Sequence, residues 1–115
     1  MSALDTPTVQ ALTRYLDVVA FRQGVVSQNV ANIDTPGYRT RDVNFRRELE
    51  RAVSGSDVTP SVQDVPGLLE RPDGNNVSLE REGLLMAETQ LQFRTGVQLL
   101  RAEFRRIQSA IQEGR

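Results

Sequence analysis

The chain contains no cysteine, histidine, lysine or tryptophan. Without cysteine it can form neither a disulfide nor a thiolate metal site, and an extracytoplasmic location is chemically permitted. Without histidine the commonest general base is missing, and without cysteine or lysine so are the thiol nucleophile, the Schiff base and the phosphate-loop amine. Catalysis would rest on carboxylates, hydroxyls and arginine alone. Carboxylate pairs such as Glu80 with Glu82, or Asp42 with Glu48, read as helix-start and surface charges, so the sequence predicts a protein that is not an enzyme and uses no cofactor or metal. All its cations are arginine, 14 of them against 15 acids, giving a net charge of -1. With a pI of about 5.4, no bulk attraction to nucleic acid or anionic lipid is expected. No apolar run approaches the length of a membrane span, and Met1 to Pro7 lacks the charged and apolar regions of a cleaved signal. Aromatic residues make up only 5% and hydrophobic residues 38% of 115 positions. That is one domain at most, with little material for a compact core, and something besides such a core is expected to hold the chain together.

What is present is helical periodicity at both ends. Thr6 followed by Pro7 reads as an N-cap with proline at the first helical position. Val9, Leu12, Leu16, Val19, Gln23, Val26, Val30 and Ile33 then follow in steps of three and four, an average of about 3.5 residues, broken only by Gln23. Tyr15, Val18, Phe21 and Val25 flank that seam, so this helix is expected to meet more than one partner. The second helix is predicted from an N-cap at Ser78, with Glu80 and Glu82 favouring the positive end of its dipole. Its seam comprises Leu79, Met86, Phe93, Val97, Leu100, Phe104, Ile107 and Ile111, interrupted at Gly83 and Gln90. Leu84, Ala87 and Leu91 begin another stripe, and Arg94, Arg101, Arg105 and Arg106 lie on or beside the polar face.

Between the helices, Arg39 to Asn44 reads as extended, and Asn44 is placed to cap a short helix through Phe45, Leu49 and Val53. The arginines at 39, 41, 46, 47 and 51 read as a solvated face, with pairing between subunits left open. From Asp57 to Asn76 prolines and glycines break the pattern. Short strands at Val58–Val62 or Val65–Leu69 are the only regular elements expected, within a loop that is either mobile or packed on something external. Asp73-Gly74-Asn75-Asn76 lacks the alternating oxygen ligands and closing glutamate of a calcium loop.

The most informative stretch is Asn29-Val30-Ala31-Asn32-Ile33-Asp34-Thr35-Pro36-Gly37-Tyr38-Arg39. Pro36 steers Thr35 away from helical geometry, and Gly37 can take the positive φ of a type II turn, so the helix is expected to end near Asn32. Asn29 and Asn32, three apart, can reach the open helix carbonyls or the returning chain. On physical grounds alone this is a capped helix end and a turn. Its string of Asn29, Ala31, Asn32, Thr35, Gly37 and Tyr38 resembles the N-terminal motif of the flagellar axial proteins, the rod, hook and junction family. The continuation Arg41-Asp42-Val43-Asn44-Phe45 looks like that of proximal rod subunits. Asp73-Gly74-Asn75-Asn76-Val77-Ser78-Leu79-Glu80-Arg81-Glu82 is similar to the family's pattern before the second helix. Met86-Ala87-Glu88-Thr89-Gln90-Leu91-Gln92-Phe93 continues it, with Thr89 and Phe93 replacing the common Asn and Tyr.

The expected fold is mainly α: two long amphipathic terminal helices forming an antiparallel coiled-coil hairpin, joined by a loop-rich middle with one short helix. The chain divides into a helix at 6–33, a turn, short helix and loop at 34–77, and a helix at 78–113. The resemblance implies a structural subunit of the proximal rod of the bacterial flagellar basal body, in the periplasm. It also implies export through the flagellar type III gate without signal cleavage, and a requirement in flagellum assembly and motility. Implied partners are copies of the chain, other rod proteins, adaptor and MS-ring components and the export machinery, with no nucleic acid and no membrane span. Expected turn residues are Asn29, Ala31, Asn32, Thr35, Pro36, Gly37 and Tyr38. Expected packing residues are Val9, Leu12, Leu16, Val19, Val26, Val30 and Ile33 on the first helix, and Phe93, Val97, Leu100, Phe104, Ile107 and Ile111 on the second. The alternatives are another rod subunit, of the FlgC or distal type, or a soluble helical export chaperone or adaptor.

Overall fold

A computed structural model describes residues 4–55 and 59–114 as three helices and a two-stranded sheet. Helix α1 spans Pro7–Ala31 and starts as its caps dictate: the Thr6 hydroxyl accepts from the Val9 N–H at 3.2 Å, with Pro7 beside it. Strand β1, Arg41–Val43, leads into α2, Phe45–Val53, where the Asn44 side chain accepts from the Arg47 N–H at 3.1 Å. Strand β2 is Val62–Asp64, and α3 runs from Leu79 to Glu113 behind an N-cap at Ser78. The molecule is mainly helical and elongated, 69 × 25 × 18 Å. Its radius of gyration of 18.2 Å exceeds the roughly 13 Å of a compact domain this long.

The middle of the chain departs from expectation. β2 begins at Val62, the last residue of one anticipated strand, and ends just before the other, and Val58 falls outside the described residues. Its register comes from pairing antiparallel with β1, Arg41 opposite Asp64 and Val43 opposite Val62, and the Val65 N–H extends the ladder to the Thr40 carbonyl at 3.0 Å. The long loop packs in part on its own chain. Its end, Arg71 to Val77, folds onto the turn after α1, and Asn75, Asn76 and Val77 are buried there.

The core is small. Val18, Val19, Val25 and Val26 of α1 supply most of it, each burial being worth about 1.5–3 kcal/mol, joined by Val43, Val77 and Ile107. The buried face of α3 includes Glu82, Thr89 and Gly96, a spacing of seven. A Cβ on Gly96 would stand 2.6 Å from a Leu16 methyl and 3.1 Å from the Tyr15 ring, so glycine here sets the closeness of the helices. Gln23 meets Met86, and Asn29 meets Glu82. Later positions on α3 therefore face earlier positions on α1.

Among the expected packing residues, Val19, Val26 and Ile107 are buried within the single chain. Val9, Leu12, Leu16, Ile33, Val97 and Leu100 are half-buried, while Val30, Phe93, Phe104 and Ile111 are exposed. α3 turns a polar and glycine row inward because Gly96 admits the closest approach, and much of its apolar seam faces outward.

Candidate functional site

Where α1 ends, three segments meet around Asn29, which is fully buried. Its amide nitrogen donates to the Arg41 carbonyl at 2.7 Å and to the Glu82 carboxylate. Its amide oxygen accepts from the Tyr38 hydroxyl at 3.0 Å and the Arg41 N–H at 3.1 Å. One side chain on α1 thereby satisfies the backbone of the returning strand and holds the first turn of α3.

The bend that returns the chain is a type II turn. The Tyr38 N–H donates to the Thr35 carbonyl at 3.2 Å, Pro36 and Gly37 occupy the corners, and Gly37 has φ +74°. Asn32 caps α1: its side chain donates to the Gln28 carbonyl at 2.8 Å and accepts from the Thr35 hydroxyl at 3.0 Å. Ala31, the last residue of α1, is exposed, as are Thr35, Pro36 and Gly37.

A second turn locks against the first. The Gly37 N–H donates to the Asp73 carbonyl at 2.9 Å. The Asn75 side chain donates to the Asn32 and Thr35 carbonyls, both at 2.9 Å, and accepts from the Val77 N–H at 2.8 Å. Arg71 donates to the Ile33 carbonyl. Asn76 takes the Thr40 N–H at 2.6 Å on its side chain, and its carbonyl accepts from the Thr40 hydroxyl at 3.2 Å. Carbonyls left open at the end of α1 are thus satisfied from residues some 40 positions later.

Charges line the flank of this junction, and here the sequence reading needs correction. Asp42, Glu48 and Glu82 are not surface carboxylates. Asp42 bridges α1 to α3, accepting two bonds from Arg22 at 3.0 Å and one from Arg81 at 2.8 Å. Arg81 also pairs with the fully buried Glu82 at 2.8 Å. Glu48 is buried, accepting from Arg51 and the Ser61 N–H. For Asp42 the reason is geometric: β1 packs on α1, and its central carboxylate lies within reach of Arg22 on α1 and Arg81 on α3. Burial, the largest single influence on Asp42, pushes its carboxyl up. The hydrogen bonds and charge of Arg22, the Val43 N–H and Arg81 outweigh it and hold the carboxyl below its ordinary value. The same hydrogen bond to Asp42 raises Arg22, and burial raises the Tyr38 hydroxyl.

The arrangement is a clasp: its buried side chains Asn29, Asn75, Asn76 and Glu82 are all hydrogen-bonded to neighbouring backbone or side chains. Among the described residues no group of His, Cys, Asp or Glu could hold a metal ion, and no helix is long and apolar enough to cross a membrane. Asn29, Asn32, Thr35, Gly37 and Tyr38 lie together at the end of α1. Asn75, Asn76, Arg71, Arg22 and Glu82 were missed as members of the site. The one signal available was that Glu82 keeps the seven-residue phase of Thr89 and Gly96.

Comparison with known proteins finds relatives of one family. A family model described as flagella basal body rod protein matches residues 10–39, which is most of α1 with its turn. The flagellar basal body rod protein FlgB of Escherichia coli (strain K12) is 30% identical over 122 aligned positions, 86% of this chain and 88% of that protein. FlgB of Borrelia hermsii is 32% identical over 73% of this chain and 80% of that one. FlgB of Bacillus subtilis (strain 168) is 24% identical over 98% and 99%.

Proposed function

Because the chain belongs to the FlgB family of flagellar basal body rod proteins, we propose that it acts as a structural subunit of the proximal rod, assembled through its terminal helices. It works in the periplasmic part of the basal body after synthesis in the cytoplasm. Export passes through the flagellar type III machinery without signal cleavage, and flagellum assembly and motility require it. Its neighbours are further copies, other rod proteins, and adaptor and MS-ring components.

The observation that carries this reading is the buried clasp, which fixes the bend between α1, the returning strand and the start of α3 while leaving apolar side chains of both long helices uncovered. Val30, Phe93, Phe104 and Ile111 would be covered by neighbouring subunits, completing seams begun by Val9, Leu12, Leu16, Val19, Val26, Ile33, Val97, Leu100 and Ile107. Within a subunit, α1 and α3 form an antiparallel coiled-coil hairpin, and the descending pairs Leu16 with Gly96, Gln23 with Met86 and Asn29 with Glu82 support it. The functional division follows: 6–33 and 78–113 pack in the rod, and 34–77 sets the angle between them.

The test is to isolate detergent-extracted basal bodies from native cells and quantify the chain by mass spectrometry. Stoichiometric presence with the other rod proteins is expected. A chain that stays in the cytoplasm while functional rods assemble would end the rod assignment.

A further inference from the structure

α3 carries two exposed features that the clasp does not use. In its N-terminal half Leu84 and Leu91 are 69% and 65% exposed, seven residues apart and flanked by exposed Glu80 and Glu88. From Gln90 to Arg105 two open clefts overlap along the helix, sharing Gln98 and Arg101. One, of about 510 Å³, is lined by Phe93, Arg94, Val97 and Arg101 among others. The next, of about 600 Å³, is lined by Gln98, Arg101, Phe104 and Arg105. Both have an aromatic wall and an arginine rim, and Arg94, Arg101 and Arg105 have no carboxylate partner among the described residues. The cleft centres lie about two turns apart, roughly 10 Å at 1.5 Å per residue, which is the spacing of Leu84 from Leu91.

We propose that these features meet between neighbouring copies of this chain: Leu84 and Leu91 of one copy seat in the two clefts of the next, and Glu80 and Glu88 approach Arg94 and Arg101. The spacing matches, and the charges are opposite. With 3.6 residues per turn, the clefts lie about a quarter-turn around α3 from the leucines, so the donating and accepting patches are different surfaces. That is the condition for a heterologous contact, which adds copies in a ring or open helix. The contact rests on the rod reading, which selects helices running in the same direction with a stagger of about three turns, roughly 17 Å, over a closed antiparallel pair. Glu88 also lies in the field of Arg22 within its own chain, so the test must pair each reversal with its reciprocal.

The native chain has no cysteine, so introduced thiols report alone. Cells producing Leu84→Cys and Arg94→Cys forms together should yield basal bodies in which mild oxidation links the two forms. Leu84→Cys with Arg105→Cys should not link. Rods that contain the chain but show no 84–94 link would overturn the contact and leave the rod reading standing. An 84–105 link would overturn it in favour of the antiparallel pair, and absence of the chain from rods would remove both. Glu88→Arg and Arg101→Glu should each lower incorporation roughly tenfold, and the double reversal should restore most of it. Failure of that restoration would also overturn the proposal.

Discussion

At the scale of single residues, Asn29 shows why an asparagine cannot be exchanged for a residue of similar size at the end of α1. It makes four hydrogen bonds, two as donor and two as acceptor, from a position with no solvent exposure. A carboxylate could not donate, and alanine would leave Glu82 and the Arg41 backbone short of partners. Asn29→Ala should cost about 3 kcal/mol in urea unfolding, whereas Tyr38→Phe, which removes one hydroxyl bond at the edge of the clasp, should cost about 1 kcal/mol. Equal effects would mean that the clasp does not converge on Asn29. Asp42 gives a pH signature. Its folded pKa is depressed, so the unfolded chain binds more protons in acid. The stability it contributes is therefore fully present above the ordinary carboxylate value of about 3.9 and is lost as pH falls through and below it. Asp42→Asn should be less stable than the native chain at neutral pH, with the gap closing in acid. A gap that persisted unchanged into strong acid would place the effect in packing and not in charge.

At the scale of elements, glycine position separates packing surfaces from open ones. Gly96 lies under Leu16 and Tyr15, and the Tyr15 ring is set edge-on to Phe45 with centroids 6.1 Å apart. Gly24 and Gly83, also helical, have open space where a side chain would begin, with nothing within 4 Å of a Cβ placed there. Gly24→Ala and Gly83→Ala should stabilise the free chain by up to about 1 kcal/mol through helix propensity. Gly96→Ala should destabilise it despite the same propensity gain, with Leu16→Ala relieving part of the loss, as thermal unfolding of the three variants and the double would reveal. The same contrast explains what was legible in the sequence. Caps at Thr6, Asn44 and Ser78 and the Pro36-Gly37 turn are local chemistry, and their positions followed from neighbouring residues. The inward row of Glu82, Thr89 and Gly96 was hidden because helix rotation is decided by which residue admits closest approach, and the most apolar stripe wins only where nothing smaller competes. The pairing of Asn75 with the end of α1 was hidden for a related reason: its partners are carbonyls, which every residue carries and no composition marks.

At the scale of the molecule, the two ends are held by different means. The clasp end combines buried valines with a polar network that reaches from α1 through β1 to α3. Toward the other end Ile107 is the last buried side chain of α3, and residues 108–114 are all exposed. The pairs that face each other across the helices place residues beyond about Phe104 past the start of α1, so the tail of α3 has few neighbours within its own chain. Such a helix end opens locally without the rest unfolding, because little apolar area is exposed when it does. Hydrogen exchange on the free chain should therefore find the amides of 108–113 unprotected, while those of 25–29 and 85–89 exchange only with global unfolding. Under the proposed assembly the balance would change, since a neighbour that covered Ile111 and Phe104 would supply the contacts the free tail lacks. Protection at 108–113 should then rise in isolated rods toward that of the clasp. If it stayed at the free-chain level there, the tail would remain uncovered in the rod, and the apolar seam it carries would have to serve a partner other than a neighbouring subunit.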